Sequence, residues 1–149
     1  MLEIFAHRAL LNGIENSVKS IPFYKKLGTG IELDIRYGNN GVYISHDPVE
    51  CGDLFEEICK ICSDSKIRLA LHIKEPKAIT EVVELLKKYT INNYFLFNTE
   101  NFKFLGITEQ EKIAVYLSQK QDNVKEKILW CDEIHNKWYT KENFLELHK

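Results

Sequence analysis

The sequence is poor in every feature that marks a specialised chain. Gly numbers 7 and Pro 3 among 149 residues, too few for a collagen-like or low-complexity polymer. No apolar run approaches the roughly 18–20 residues that span a bilayer. The first residues, Met1-Leu2-Glu3-Ile4-Phe5-Ala6-His7-Arg8, lack the basic start and apolar core of a signal peptide, so a cytoplasmic location is expected. Charge of one sign is missing too: 20 basic and 22 acidic residues leave a net charge of -2. That excludes a global basic field for nucleic acid or an anionic membrane. The glycine fingerprints of nucleotide folds, G-x-G-x-x-G and G-x-x-x-x-G-K-[ST], are absent. Cysteine is present but does not form a zinc framework. Cys59 and Cys62 make a lone C-x-x-C, without the second ligand pair that zinc needs at matched spacing. Both are expected to act as small apolar residues on the buried side of a helix.

What remains is an ordinary globular composition, 44% apolar and 28% charged. The length fits one domain over residues 1–149. Strand-like and helix-like segments take turns. The expected strands are Ile4–His7, Gly30–Ile35, Val42–Ser45, Ile67–Ile73, Tyr94–Phe97, Ile113–Leu117 and Ile128–Trp130. The expected helices are Asn16–Leu27, a segment carrying Leu54, Ile58, Ile61 and Cys62 at helical spacing, a segment opened by Pro76, and shorter ones at Asn101–Leu105 and Lys141–His148. Such alternation predicts parallel pairing with helices outside, in an open doubly wound or a curved barrel-like sheet.

Polar groups gather at strand ends. Glu32 and Asp34 are two apart on one strand, so both carboxylates aim at one spot. Like charges that close repel unless a proton or cation is shared, and a hard divalent cation such as Mg²⁺ or Ca²⁺ resolves this. An acidic pair on an exposed strand face is the alternative. His7, His46 and His72 end three strand segments and suit general acid–base work. Arg8 offers a planar fork for phosphate oxygens, and Lys74 a compact charge to oppose charge developing in transfer. Their other reading is ion pairing with Glu15, Glu32 or Asp34.

The stretches Phe5-Ala6-His7-Arg8, Gly13-Ile14-Glu15-Asn16-Ser17, Gly30-Ile31-Glu32-Leu33-Asp34-Ile35 and Gly41-Val42-Tyr43-Ile44-Ser45-His46-Asp47 together resemble the N-terminal half of glycerophosphodiester phosphodiesterases. The resemblance implies a phosphatidylinositol-phospholipase-C-like barrel, a role in lipid metabolism and metal-dependent phosphodiester cleavage. It implies His7 and His46 as the acid–base pair, Arg8 as phosphate ligand, Glu32 and Asp34 as metal ligands, and Glu15 as a supporting residue. His72 stands where the family has a metal-binding Glu. It is expected to keep the ligand role and to shift preference from Mg²⁺ or Ca²⁺ toward Mn²⁺ or Zn²⁺. The segment that caps the family's glycerol pocket after His46-Asp47 is absent.

With about 24 residues per strand–helix step, the length holds about six, against the roughly 250 residues of an eight-unit barrel. The expected fold is therefore α/β: a TIM-barrel-like (βα) repeat of parallel strands, incomplete at about six units, its C-terminal strands missing. A homodimer covering the open sheet edge is one way to complete it. The expected activity is hydrolysis of a small or sugar-linked phosphodiester, with no nucleic acid and no transmembrane segment involved. A non-catalytic barrel binding a phosphate ester or partner protein is the alternative, and a metal-dependent sugar-phosphate isomerase is a third.

Overall fold

The computed structural model describes residues 3–97, 112–117 and 128–131, with Thr140 and Glu142. The helix expected at 101–105, all of 141–148 except Glu142, and the side chains of Asn98 and Asp132, considered for strand-end roles, lie outside the described residues.

Eight strands are described: β1 (Phe5–Ala6), β2 (Gly30–Gly38), β3 (Gly41–Ile44), β4 (Asp53–Leu54), β5 (Leu69–Ile73), β6 (Tyr94–Phe97), β7 (Val115–Leu117) and β8 (Leu129–Cys131). The described α-helices are α1 (Ile21–Leu27), α2 (Phe55–Cys62) and α3 (Ile79–Lys88). The main sheet has the order β4-β3-β2-β5-β6, with β1 also on β2. Strands β1 and β5 run parallel to β2, and β6 parallel to β5. Strand β3 is antiparallel to β2, and β4 to β3. A second sheet pairs β7 and β8 in parallel. A parallel bridge between Leu96 and Ile113 lays the segment before β7 alongside β6.

This corrects the expected fold class. The sheet is mixed, and no pairing among the described residues closes it into a barrel. The physical cause at its first departure is the turn Gly38-Asn39-Asn40-Gly41. Gly41 has φ +101°, open to glycine and strained for other residues, and the chain reverses there. Register runs Ile35 opposite Ile44 to Gly38 opposite Gly41. The turn therefore makes an antiparallel hairpin of this pair, where parallel pairing of the strands was expected.

Other expectations hold. Helix α2 buries Phe55, Ile58, Cys59 and Cys62. Both cysteines are reduced and buried, and burial pushes their thiols up, to about 12 for Cys59 and about 11 for Cys62. Helix α3 buries Ile79, Val82, Val83 and Leu86, the stripe read from spacing. Helix α1 is shorter than the expected Asn16–Leu27. Pro22 lies in its first turn, where a missing N–H costs nothing, and Asn16 has φ +47°, outside helical geometry.

Alternation along the strands divides the sheet into two faces. Ile31, Leu33 and Ile35 of β2, Leu69, Leu71 and Ile73 of β5, and Leu96 of β6 pack with the three helices in the larger core. On the other face Ala70, Phe95, Phe97 and Ala114 form a second cluster, joined by Phe5, Ile128 and Trp130. Phe5 of β1 meets Phe95 at 5.5 Å and Trp130 of β8 at 5.7 Å between ring centroids. Strands far apart in order therefore share one aromatic floor, which makes this face concave. Gly30 helps: a Cβ there would fall 2.6 Å from Cδ1 of Phe5. Among the described residues no helix is long and apolar enough to cross a membrane.

Candidate metal centre

Glu32 and Asp34 point from β2 onto the concave face, and His72 points there from β5. Each carboxylate residue is only 1% exposed. Asp34 and His72 are register partners, so their side chains stand side by side. One ligand atom from each of Glu32, Asp34 and His72 lies within 4.8 Å of the other two, which makes the cluster capable of holding a metal ion. The alternative of an acidic pair on an exposed strand face is thereby ruled out.

Burial raises the Glu32 carboxyl to about 8, reinforced by the neighbouring charge of Asp34. Asp34 goes the other way. Burial alone would raise it, but hydrogen bonds from His72, Asn16 and Lys74 together hold it well below the usual carboxylate range. His72 Nδ1 lies 3.1 Å from Asp34 Oδ1 and 3.8 Å from Glu32 Oε1. Lys74 Nζ lies 3.0 Å from Asp34 Oδ1. Two carboxylates of opposite protonation tendency thus flank one imidazole, in an arrangement capable of holding a cation.

The loop after β1 supplies the rest. Arg8 has φ +52°, and this turn aims its backbone N–H at Glu32 Oε2, 2.7 Å away. Its guanidinium donates to both Glu15 oxygens, at 3.2 and 3.0 Å, and Nε lies 3.6 Å from Asp34 Oδ2. That Nε is buried and makes no hydrogen bond. The ion pairing weighed as the other reading of Arg8 and Lys74 is thus present. His7 is at the rim, its side chain 69% exposed and Nε2 4.0 Å from Glu32 Oε2.

His46 is placed differently from the expectation. It follows a strand that runs antiparallel to β2, so it does not close a parallel strand end. The hairpin brings its neighbour Ser45 to Asp34, backbone N–H to carbonyl at 3.1 Å. The His46 ring contacts the Asp47 carboxylate at 3.0 Å, and its carbonyl accepts from Arg36 Nε and Nη2 at 3.0 and 2.6 Å. It is not part of the three-residue cluster.

Sequence reasoning assigned no role to Asn16. The structure makes it the clamp on Asp34: its Nδ2 donates to Oδ2 at 2.9 Å, and its Oδ1 accepts the Asp34 backbone N–H at 3.0 Å. Its own N–H donates to the Arg8 carbonyl at 2.7 Å. Asn tolerates positive φ better than most residues, and that is the only signal that could have marked it. Phe97 and Trp130, which carry the floor beside His72, were given no role in orienting it.

Comparison of the chain with protein-family models, curated proteins and solved structures gives no match. The resemblance to glycerophosphodiester phosphodiesterases is corrected accordingly. No family model supports it, and a mixed open sheet takes the place of the implied barrel. The motif stretches do converge in space, but as a small α/β site whose membership in that family is not shown.

Proposed function

We propose that the Glu32–Asp34–His72 cluster holds a divalent cation and that the protein uses it to hydrolyse a small phosphodiester. The observation that carries this reading is the pair of carboxylates, both 1% exposed, sharing one imidazole within metal-ligand reach. Burying two acids side by side is costly without a compensating charge. The donor set, two oxygens and one nitrogen, fits Mg²⁺ or Ca²⁺ through the carboxylates and Mn²⁺ or Zn²⁺ through the imidazole. When bound, such a cation supplies positive charge against the charge that develops on phosphoryl oxygens.

The chain's own groups account for the rest. Arg8 and Lys74 already border the carboxylates, and both release positive charge toward a substrate phosphate once a cation takes over the acids. His7 is exposed beside the cluster and takes the proton of an attacking water as its oxygen bonds to phosphorus. The phosphorus–oxygen bond to the leaving alcohol breaks, and His46, on the segment beside Asp34, returns a proton to that alkoxide. The missing basic field favours a small substrate over nucleic acid, in a cytoplasmic setting.

A second reading, phosphate-ester binding without turnover, has one observation in its favour. Lys74 and the Arg8 backbone already satisfy the carboxylates without a metal. A chromogenic phosphodiester supplied with Mg²⁺, Mn²⁺, Ca²⁺ or Zn²⁺, and separately with EDTA, tells the two apart. Turnover is expected with at least one cation and not in EDTA, and Glu32→Gln plus Asp34→Asn should cost about 10²–10³-fold. Full activity in that double variant would remove the metal assignment. Binding of a phosphate ester with no turnover under any cation would favour the second reading.

A further inference from the structure

His72 is the one nitrogen donor of the cluster, and what orients it lies on the next strand. Its register partner on β6 is Phe97, and its partner on β2, at the other side of β5, is Asp34. The His72 and Phe97 rings stack, centroids 4.6 Å apart and planes 22° from parallel. Phe97 in turn stacks on Trp130 of β8, at 4.6 Å and 21°. Three near-parallel plates therefore run across the concave face and end at the carboxylates. Phe97 is 1% exposed, so its ring has no room to swing away.

We propose that Phe97, backed by Trp130, is a positioning residue that holds the His72 imidazole in the plane where Nδ1 meets the carboxylates and so sets the cation preference of the site.

The physical argument starts from the side-chain torsion. The outer torsion of histidine is broad and roughly two-fold. A half-turn of the ring exchanges Nδ1 for a carbon and would remove the nitrogen now 3.1 Å from Asp34 Oδ1. A plate on the ring face fixes the plane of the imidazole, the contact with Asp34 selects which edge faces the carboxylates, and Trp130 backs the plate. The stack also faces the imidazole with aromatic π density. That density favours the ring when coordination draws electrons from it, as in a cation–π contact. Partners outside the ligand shell that orient a metal-binding histidine typically govern affinity 10–100-fold. Phe97 is the register partner of His72 and of neither carboxylate, so the effect falls on cations that favour nitrogen. Phe95 supplies an internal comparison. It lies in the same apolar cluster and meets Phe97 at 6.3 Å and a 41° tilt, yet its register partner is Ala70, not His72.

The inference rests on the cation reading of the cluster, and the experiment separates the two. Co²⁺ and Mg²⁺ binding are measured calorimetrically on the whole chain, with the visible Co²⁺ spectrum as signature of nitrogen ligation. Wild type, Phe97→Leu, Phe97→Tyr and Phe95→Leu are compared, with urea midpoints for all four. Phe97→Leu is expected to weaken Co²⁺ about 10–100-fold, to change its spectrum and to leave Mg²⁺ within about threefold. Phe97→Tyr should restore Co²⁺ binding. Phe95→Leu should lose comparable stability while keeping the wild-type Co²⁺-to-Mg²⁺ ratio. If wild type binds neither cation, the cluster reading fails and this inference with it. If wild type binds both and Phe97→Leu keeps the ratio, or Phe95→Leu changes it equally, the positioning role alone is overturned. Should Phe97→Leu not fold, Trp130→Leu takes its place, with a smaller change of ratio in the same direction expected and an unchanged ratio overturning the role.

Discussion

Two carboxylates two residues apart on one strand have opposite fates. Glu32 accepts from a backbone N–H and otherwise faces Asp34, so burial raises it to about 8. Asp34 collects Asn16, His72 and Lys74 and falls below the ordinary range. The sign of the consequence is fixed by linkage. An acid whose pKa is raised on folding contributes stability in full below its unfolded value, about 4.5, and loses it as pH climbs through about 8. Across that window Asp34 is ionised in both folded and unfolded chain, so its contribution stays constant. In EDTA, wild type should therefore lose stability relative to Glu32→Gln as pH rises from about 4.5 to about 8. Thermal unfolding of the two proteins across that range checks it, and parallel curves would disprove the raised carboxyl. The i, i+2 spacing made the pair legible in the sequence. The split between the two acids was not, because it depends on Asn16, His72 and Lys74, far from Asp34 in the chain.

At the scale of elements, the segment between β1 and α1 acts as a strap over the site. Asn16 bonds both the side chain and the backbone of Asp34. Ser17 Oγ and the Val18 N–H then donate to Asp53 Oδ2 of β4, at 3.0 and 2.7 Å. The strap thus ties the cluster to the far edge of the sheet. Asn16→Gly removes the clamp while keeping a residue that accepts φ +47°. It is expected to cost about 1–3 kcal/mol in urea unfolding, the usual effect of leaving a buried partner unsatisfied, and to weaken cation binding. An unchanged midpoint would mean that the clamp carries no load. Helices α2 and α3 were readable because their apolar spacing matches the faces they bury. The strap was not, since helical propensity over Asn16–Leu27 loses to the hydrogen bonds that Asn16 and Ser17 make in extended or left-handed backbone. The direction of β3 was legible but not drawn from the sequence, since a Gly-Asn-Asn-Gly turn is long enough for a hairpin and far too short for the crossover that a parallel pair needs.

The described residues form a sheet clad by helices on one face and gathered around an aromatic floor on the other. The floor and the acid cluster occupy that second face together, so a charged site sits on a dry base. A cation that binds only this folded arrangement stabilises it by mass action, about 2.7 kcal/mol when its concentration is 100 times the dissociation constant. Saturating Mn²⁺ or Mg²⁺ should therefore raise the melting temperature of wild type. Glu32→Gln plus Asp34→Asn should abolish the rise, and a rise that persists in that variant would place the binding elsewhere.

What the sequence determined by itself is local: which segments extend, which coil, which face of each is apolar, and that Glu32, Asp34 and His72 belong to strands whose polar sides can meet. Period and spacing are properties of a few adjacent residues, so they survive without knowledge of the rest of the chain. Only the tertiary structure decided how those segments pair. The curvature that brings Phe5 to Trp130 produced a concave face without closing a barrel. Pairing depends on contacts between residues tens of positions apart. The same contacts set the Glu32 carboxyl near 8, place Asn16 on Asp34 and stack Phe97 on His72.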